Sequence, residues 1–317
     1  MATVLITGGT GMIGTALTNA LLDKNYRVII LSRETRNPKP ETQNPKPETQ
    51  NLAYAQWNIK DQTIDKEAIG KADYIIHLAG AGVVDKRWRP KRKQEIIDSR
   101  VRSGQLIVKA LHETPNNVKA VLSSSGIGWY GPDSSVPNPR PFTEDDPAYD
   151  DFLGQTCALW EQSLEPATAL RKRLVIFRTG IVLSNTGGGL KEFVKPLRFG
   201  IAAILGSGEQ IVSWIHIDDL VQLYIDAIEN EKTSGVYNAV APNPVSNREL
   251  TLQLAKIKKG KFFIPVHVPA FVLKTVLGEM SVEVLKSATV SCRKVLEAGF
   301  VFSYPLIGEA IKNILKK

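Results

Sequence analysis

The chain is 317 residues long and 43% hydrophobic, enough for a full α/β core with a smaller lobe, and its composition is neither disordered nor fibrous. No apolar run is long enough to span a bilayer, the apolar start reads as a strand rather than a secretory leader, and two distant cysteines with four dispersed histidines exclude a disulfide framework and a metal site at ligand spacing. A cytoplasmic chain without a membrane partner is the expectation, and the formal net charge of +8 then asks for a local explanation.

Residues Ala2–Thr7 are apolar and β-branched, which predicts a strand buried on both faces of a parallel sheet. The glycines that follow read both as Gly9-x-Gly11-x-x-Gly14 and as Gly8-x-x-Gly11-x-x-Gly14. Ile13, Ala16, Leu17, Ala20 and Leu21 then recur at helical spacing and predict an amphipathic helix. A helix that opens at glycines directs its unpaired N–H groups and positive dipole end at a pyrophosphate, which can approach the bare backbone closely. Gly8, Gly9, Thr10, Gly11, Met12, Ile13 and Gly14 are therefore candidate cofactor contacts.

A second strand, Arg27–Ser32, ends about 20 residues beyond the glycines, where an acidic residue would bind the ribose 2′-hydroxyl of NAD. This chain has Ser32-Arg33 there. A hydroxyl followed by a guanidinium suits a 2′-phosphate, so the expected cofactor is NADP(H). Next, the heptad Asn37–Gln43 is repeated unchanged as Asn44–Gln50. Its prolines and polar residues predict an exposed loop and a tolerated tandem insertion.

Further strands are predicted at Ala53–Trp57, Tyr74–Leu78, Ala120–Ser124 and Leu174–Phe177, in alternation with helices. That order predicts an α/β fold with a Rossmann-type doubly wound parallel sheet. Much of the positive charge lies between Lys86 and Arg102, where Ile97, Val101, Gly104, Val108 and Leu111 mark one helical face. The cations are expected on the solvated side of that helix, and without interleaved aromatics no nucleic-acid partner is expected. Beyond residue 180 the pattern loosens at Gly187-Gly-Gly189, Gly206-Ser-Gly208 and Pro242-Asn-Pro244. Residues 1–180 are thus read as a dinucleotide-binding domain and 181–317 as a smaller α/β substrate lobe over the strand ends, interleaved in one compact unit.

Two strand ends carry the chemistry. His77-Leu-Ala-Gly80 places small residues, Leu78, Ala79 and Gly80, where the chain must pass a cofactor. Ser123-Ser-Ser-Gly-Ile-Gly-Trp-Tyr-Gly131 places serines where a hydroxyl can orient a substrate beside a nicotinamide, with Ser123 toward the cofactor. Together with the N-terminal fingerprint, these segments resemble the extended short-chain dehydrogenase/reductase superfamily, which contains sugar-nucleotide epimerases and dehydratases. The resemblance puts the active-site serine at Ser125.

It breaks at the Tyr-x-x-x-Lys pair, in which lysine lowers the tyrosine pKa for proton exchange. Alignment through Trp160-Glu161 puts Leu153 at the tyrosine and Cys157 at the lysine. Leucine exchanges no proton, and Cys157 is read as a small buried hydrophobe. Asp150-Asp-Phe-Leu153, Arg178-Thr-Gly-Ile-Val-Leu183, Ser213-Trp-Ile-His-Ile-Asp-Asp-Leu220, Asn238-Ala-Val-Ala-Pro242, Leu277-Gly-Glu-Met280 and Ala298-Gly-Phe300 resemble an atypical branch called epimerase family proteins. Members of that branch generally lack the pair and carry a C-terminal domain of unknown function, here from about Pro265.

The resemblance implies an NADP(H)-binding oxidoreductase or epimerase-like protein with a nonstandard proton relay and a small polar substrate. Ser125 would orient the substrate and Tyr130 or His216 would exchange the proton. His216, read as a strand residue alternating with Ile215 and Ile217, would share a pocket face with Trp214 and Asp218. Gln210 and Trp214 would contact substrate, and the helix around Lys93–Leu111 would pair two copies into a homodimer. The alternative is a catalytically silent NADPH-binding protein that regulates or binds a partner.

Overall fold

The computed structural model describes residues 1–33 and 51–316, so the duplicated heptad lies outside the described residues. The large sheet contains β1 (Thr3–Thr7), β2 (Arg27–Ser32), β3 (Leu52–Asn58), β4 (Thr63–Ile64), β5 (Tyr74–His77), β6 (Ala120–Gly126), β7 (Arg173–Thr179) and β12 (Gly235–Ala239). Its order is β12-β7-β6-β5-β1-β2-β3-β4, parallel throughout except for the last pair. The chain winds outward from β1 through β2 and β3 on one side and from β5 through β6 and β7 on the other. The crevice of such a sheet opens at the carboxyl ends of β1 and β5.

The sheet is covered on both faces. Helices α1 (Met12–Asp23), α2 (Lys66–Lys71), α3 (Pro90–Glu113), α4 (Phe152–Gln162), α5 (Pro166–Ala169), α6 (Gly189–Leu197), α7 (Ile217–Glu229) and α8 (Asn247–Lys259) follow in chain order. Val4 and Ile6 of β1 pack with Leu17 and Leu21 of α1 and with Leu220 and Tyr224 of α7. Leu5 points the other way, into a cluster with Ile69, Leu106, Ile107 and Ala110. Alternating residues of one fully buried strand thus serve two cores, as the uninterrupted apolar run requires.

Two expectations change. The boundary at residue 180 does not hold as a cut, because β12 pairs with β7 and α7 covers the sheet beside α1. The apolar stripe of α3 is also rotated. Its buried residues include the expected Gly104 and Leu111 together with Ile96, Ser103, Leu106, Ile107 and Ala110, whereas Ile97, Val101 and Val108 are only half-buried and two of its cations, Arg92 and Arg100, are drawn inward.

The smaller lobe has its own core, in which Leu183, Leu190, Leu197, Trp214, Leu250, Leu254, Ile311 and Ile314 meet. It contains β8 (Ile181–Leu183), β9 (Ile201–Leu205), β10 (Ile211–Val212), β11 (Trp214–His216), β13 (Val245–Ser246) and β14 (Ile264–Val268). Its later segment is fastened to the loop after β6. Asp133 accepts from the Ser287 hydroxyl at 2.7 Å and from the Thr289 amide and hydroxyl at 2.9 and 2.8 Å. Among the described residues no helix is long and apolar enough to cross a membrane.

Candidate functional site

Thr7 ties the two strands that border the crevice. Its Oγ1 accepts from the Leu78 and Ala79 amides, both at 3.2 Å, and its hydroxyl proton goes to His77 Nδ1 at 2.7 Å. His77 Nε2 meets the Ser103 hydroxyl oxygen at 3.2 Å, and that hydroxyl donates to backbone carbonyls of α3. This pattern satisfies every atom with a neutral Nε2–H imidazole. Complete burial holds the ring's pKa down to about 3, so His77 is a neutral brace and not an acid–base group.

With the strand ends so close, the glycine loop has little room. Gly8 has φ +70°, and a β-carbon there would lie 2.9 Å from the Leu78 carbonyl. One at Gly9 would strike Ile30 at 2.9 Å, and one at Gly14 would lie 2.3 Å from the Gly8 oxygen. Gly11 caps α1 without a side-chain hydrogen bond, and Thr10 and Gly11 are exposed at the tip. The first-turn N–H groups of α1 therefore face open space across bare backbone, a cradle that fits an anionic dinucleotide. Met12 and Ile13 are half-buried behind it, and Met12 fills the space that a β-carbon at Gly187 or Gly188 would approach, at 3.4 and 3.2 Å. At the end of β2, Ser32 is half-buried and Arg33 exposed.

Across the crevice, Ala79 is buried and Gly80 exposed, with the Arg100 guanidinium 3.0 Å from where a Gly80 β-carbon would be. Arg100 donates to the Ala81 and Ile96 carbonyls and lies 4.9 Å over the Trp160 ring. Ser123 is buried, and its hydroxyl donates to the Ser124 carbonyl at 2.9 Å.

Ser125 opens a buried polar chain. Its hydroxyl donates to Glu161 Oε1 at 2.7 Å. The same carboxylate takes two hydrogen bonds from Arg178, at 2.9 and 3.0 Å. Arg178 stands directly opposite Ser125 in the β6–β7 register and lies 3.5 Å over the Trp129 ring. Its Nη1 donates to the Tyr130 hydroxyl at 3.2 Å, and that hydroxyl donates to Asn238 Oδ1 at 2.6 Å. Glu144 in turn accepts from the Asn238 amide at 2.7 Å. Paired, hydrogen-bonded charges of this kind are the form in which ions tolerate a core.

Glu161, Arg178, Asn238 and Glu144 carried no expectation from sequence. The available signal was a charge closing the apolar strand Leu174–Phe177, since a buried arginine requires a partner.

The structure encloses four other expected site residues. Tyr130 is fully buried and stacked on Phe142, and burial pushes its phenol up to about 12 against the pull of Arg178. It therefore does not stand in the cleft as a proton donor. His216 caps α7 with Nδ1, which accepts from the Asp218 amide at 3.0 Å, and it stacks on Tyr304 at 3.9 Å. Ile217 and Asp218 are accordingly helical, and the expected alternation with Trp214 stops at His216. Trp214 is buried with its indole N–H on the Asn243 carbonyl. Gln210 is also buried and donates to the Leu205 carbonyl at 3.0 Å. Both read as packing residues in this geometry.

At the tyrosine position Leu153 lies against Gly128, where a β-carbon would be 3.1 Å away. At the lysine position Cys157 donates to the Gly126 carbonyl at 3.6 Å, and burial first, then Glu161, raises its thiol to about 11. Among the described residues no cluster of His, Cys, Asp and Glu is arranged to hold a metal.

A parallel sheet whose winding order reverses between β1 and β5, with a glycine cradle at that switch, defines a Rossmann-type dinucleotide-binding protein. The profile of the NAD dependent epimerase/dehydratase family matches residues 4–152, and a domain of unknown function (DUF1731) matches residues 268–314. Epimerase family protein YfhF of Bacillus subtilis (strain 168) is 32% identical over 313 residues, covering 98% of this chain and 97% of that protein. Human epimerase family protein SDR39U1 (isoform 2), crystallised with NADPH, is 30% identical with a TM-score of 0.84, covering 99% of both chains. A nucleoside-diphosphate sugar epimerase from Corynebacterium glutamicum is also 30% identical, with a TM-score of 0.75, covering 99% of this chain and 58% of that one. The chain belongs to the epimerase family, an atypical branch of the extended short-chain dehydrogenases/reductases.

Proposed function

We propose that the chain binds NADP(H) at the Gly8–Gly14 loop and acts as an oxidoreductase or epimerase on a small polar substrate, without a tyrosine–lysine pair. The observation that carries this reading is the cradle itself, bare backbone at an uncapped helix start beside Ser32-Arg33. Ser32 and Arg33 would hold a 2′-phosphate, and Leu78, Ala79 and Gly80 would border the cofactor from the β5 side. The NADPH held by the human relative supports the choice of cofactor. When bound, NADP(H) supplies the hydride donor or acceptor.

Ser125 is the residue of this chain that we assign to the substrate. Its proton is directed to Glu161 and the Cys157 thiol also hydrogen-bonds to its side chain, so in this role it would meet a substrate as an acceptor, which suits an alcohol better than a carbonyl. The sugar-epimerase relative supports including nucleotide sugars in the substrate class. A silent NADP(H)-binding protein is the second reading, favoured by one observation: Tyr130 and His216 are both fully buried.

The test follows nicotinamide absorbance with a panel of alcohols, carbonyl compounds and nucleotide sugars, together with a product assay for reactions that regenerate their cofactor. The enzyme reading expects turnover that Ser125→Ala lowers by about ten- to a hundredfold with NADPH affinity unchanged. Binding without turnover or product across the panel would establish the silent reading.

A further inference from the structure

The smaller lobe ends in an apolar tip surrounded by cations. Strands β9 and β14 pair in parallel, with Ile201 beside Ile264 and Ala203 beside Val266. Ala202 and Ile204 are buried beneath, so the alternate set Ile201, Ala203, Ile264 and Val266 faces outward. Two turns extend this face. Phe199, after α6, is 84% exposed, and Phe262, after α8, is 87% exposed. The turns meet, because the Ile264 amide donates to the Gly200 carbonyl at 2.8 Å and the Phe262 oxygen lies 3.8 Å from a Gly200 β-carbon position. Two bare phenyl rings above a bare aliphatic strand face form a contiguous apolar surface, which marks an interaction site.

The charge around this surface has one sign. The segments 189–205 and 252–268 carry Lys191, Lys195, Arg198, Lys256, Lys258, Lys259 and Lys261, against the single carboxylate Glu192. Lys195 already pairs with that carboxylate at 2.6 Å. A second copy is disfavoured, since symmetric contact would bring the same cations face to face. Pairing along the outer edge of β14 is weakened as well. The Ile264 N–H points inward to Gly200, so residue 265 faces the outer edge, and proline there has no N–H to offer.

We propose that this tip docks on a bilayer surface carrying anionic lipid, with Phe199, Phe262 and Ile264 entering the headgroup–acyl boundary and the lysines and Arg198 facing the headgroups. Basic residues flanking exposed aromatic and aliphatic side chains are the chemistry that such an interface recognises, and no spanning helix is needed. This departs from the expectation of no membrane partner, which rested on the absence of a spanning run. The other end of α6 lies near the nucleotide loop, where β-carbons at Gly187 and Gly188 would come within 3.4 and 3.2 Å of Met12. A helix of nine residues separates the two by about 13 Å.

The test sediments the full chain with extruded vesicles of phosphatidylcholine alone and of phosphatidylcholine with phosphatidylserine, at low and high salt. We expect pelleting with the anionic vesicles only, weakened by salt. Phe199→Ser with Phe262→Ser, and separately Lys258→Glu with Lys261→Glu, should each lower partitioning at least tenfold with an unchanged melting temperature. Failure of the wild-type chain to pellet with anionic vesicles overturns the proposal. So does pelleting unaffected by the phenylalanine pair, which would reduce the tip to a nonspecific polycation. A third contrary result is a wild-type dimer in light scattering that the phenylalanine pair converts to monomer, which would assign the tip to self-association.

Discussion

Ser125 and Tyr130 stand five residues apart on the same strand exit, and both are buried. They differ in their partners. Ser125 hands its proton to Glu161, whereas Tyr130 is closed in by Arg178, Asn238 and Phe142. Glu161 and Arg178 hold each other in a buried pair, and removing either partner of such a pair costs about 3–5 kcal/mol because the other charge is left uncompensated. His77 offers a sharper test at this scale. Its folded pKa is near 3 against an ordinary 6.5, because burial disfavours the cation. Between those values the unfolded chain takes up a proton that the folded chain refuses. Stability is therefore complete above about pH 6.5 and declines as the pH falls toward the folded value. His77→Gln should be less stable at neutral pH but show a flatter fall in melting temperature between about pH 6.5 and about pH 4. Parallel slopes for the two proteins would show that His77 does not set the acid sensitivity.

At the scale of elements, the strand–loop–helix unit at 3–23 separates two jobs of glycine. A β-carbon at Gly14 would lie 2.3 Å from the Gly8 oxygen, within the packing of the unit itself, whereas one at Gly11 comes no closer than 3.3 Å. Gly14→Ala should cost about 1–3 kcal/mol of stability and also lose cofactor affinity. Gly11→Ala should keep the melting temperature and lose affinity alone, because it stands at the exposed helix start that a pyrophosphate approaches. Thermal melts of both variants with NADPH titrations check this, and an unstable Gly11→Ala would contradict it. Helix α3 shows why periodicity misplaces a face. The expected face is buried at Gly104 and Leu111 but not at Ile97, Val101 and Val108, because the buried side turns toward Ser103, which braces His77. Small polar residues that satisfy a partner across the interface bury as readily as aliphatic ones. The segment 214–218 fails for a related reason. Its alternation of apolar and polar residues reads as a strand, yet the His216 ring captures the Asp218 amide and starts a helix.

Across the whole molecule, what was legible in sequence is what local pattern determines. The apolar β-branched runs at 3–7 and 27–32, the glycines between them and the alternation of strands and helices lead directly to the sheet and its cradle. The polar chain beneath Ser125 was not legible, because it joins residues 125, 130, 144, 161, 178 and 238, which only the completed sheet brings together. The places where the interleaved lobes exchange the chain were illegible for the same reason, since α7 and β12 return to the large sheet only after β8 to β11 have passed through the smaller lobe. The reading of function rests on the cradle and on Ser32-Arg33 at its rim, and one experiment addresses both directly. Fluorescence titration of NADPH and NADH against the wild-type chain and Arg33→Ala should show an NADPH preference of about tenfold or more, because a charge-assisted hydrogen bond is worth roughly 1.5–3 kcal/mol. Arg33→Ala should erase that preference by weakening NADPH while leaving NADH unchanged. Equal affinity of the wild-type chain for both cofactors, or an NADPH preference that survives loss of the guanidinium, would contradict it.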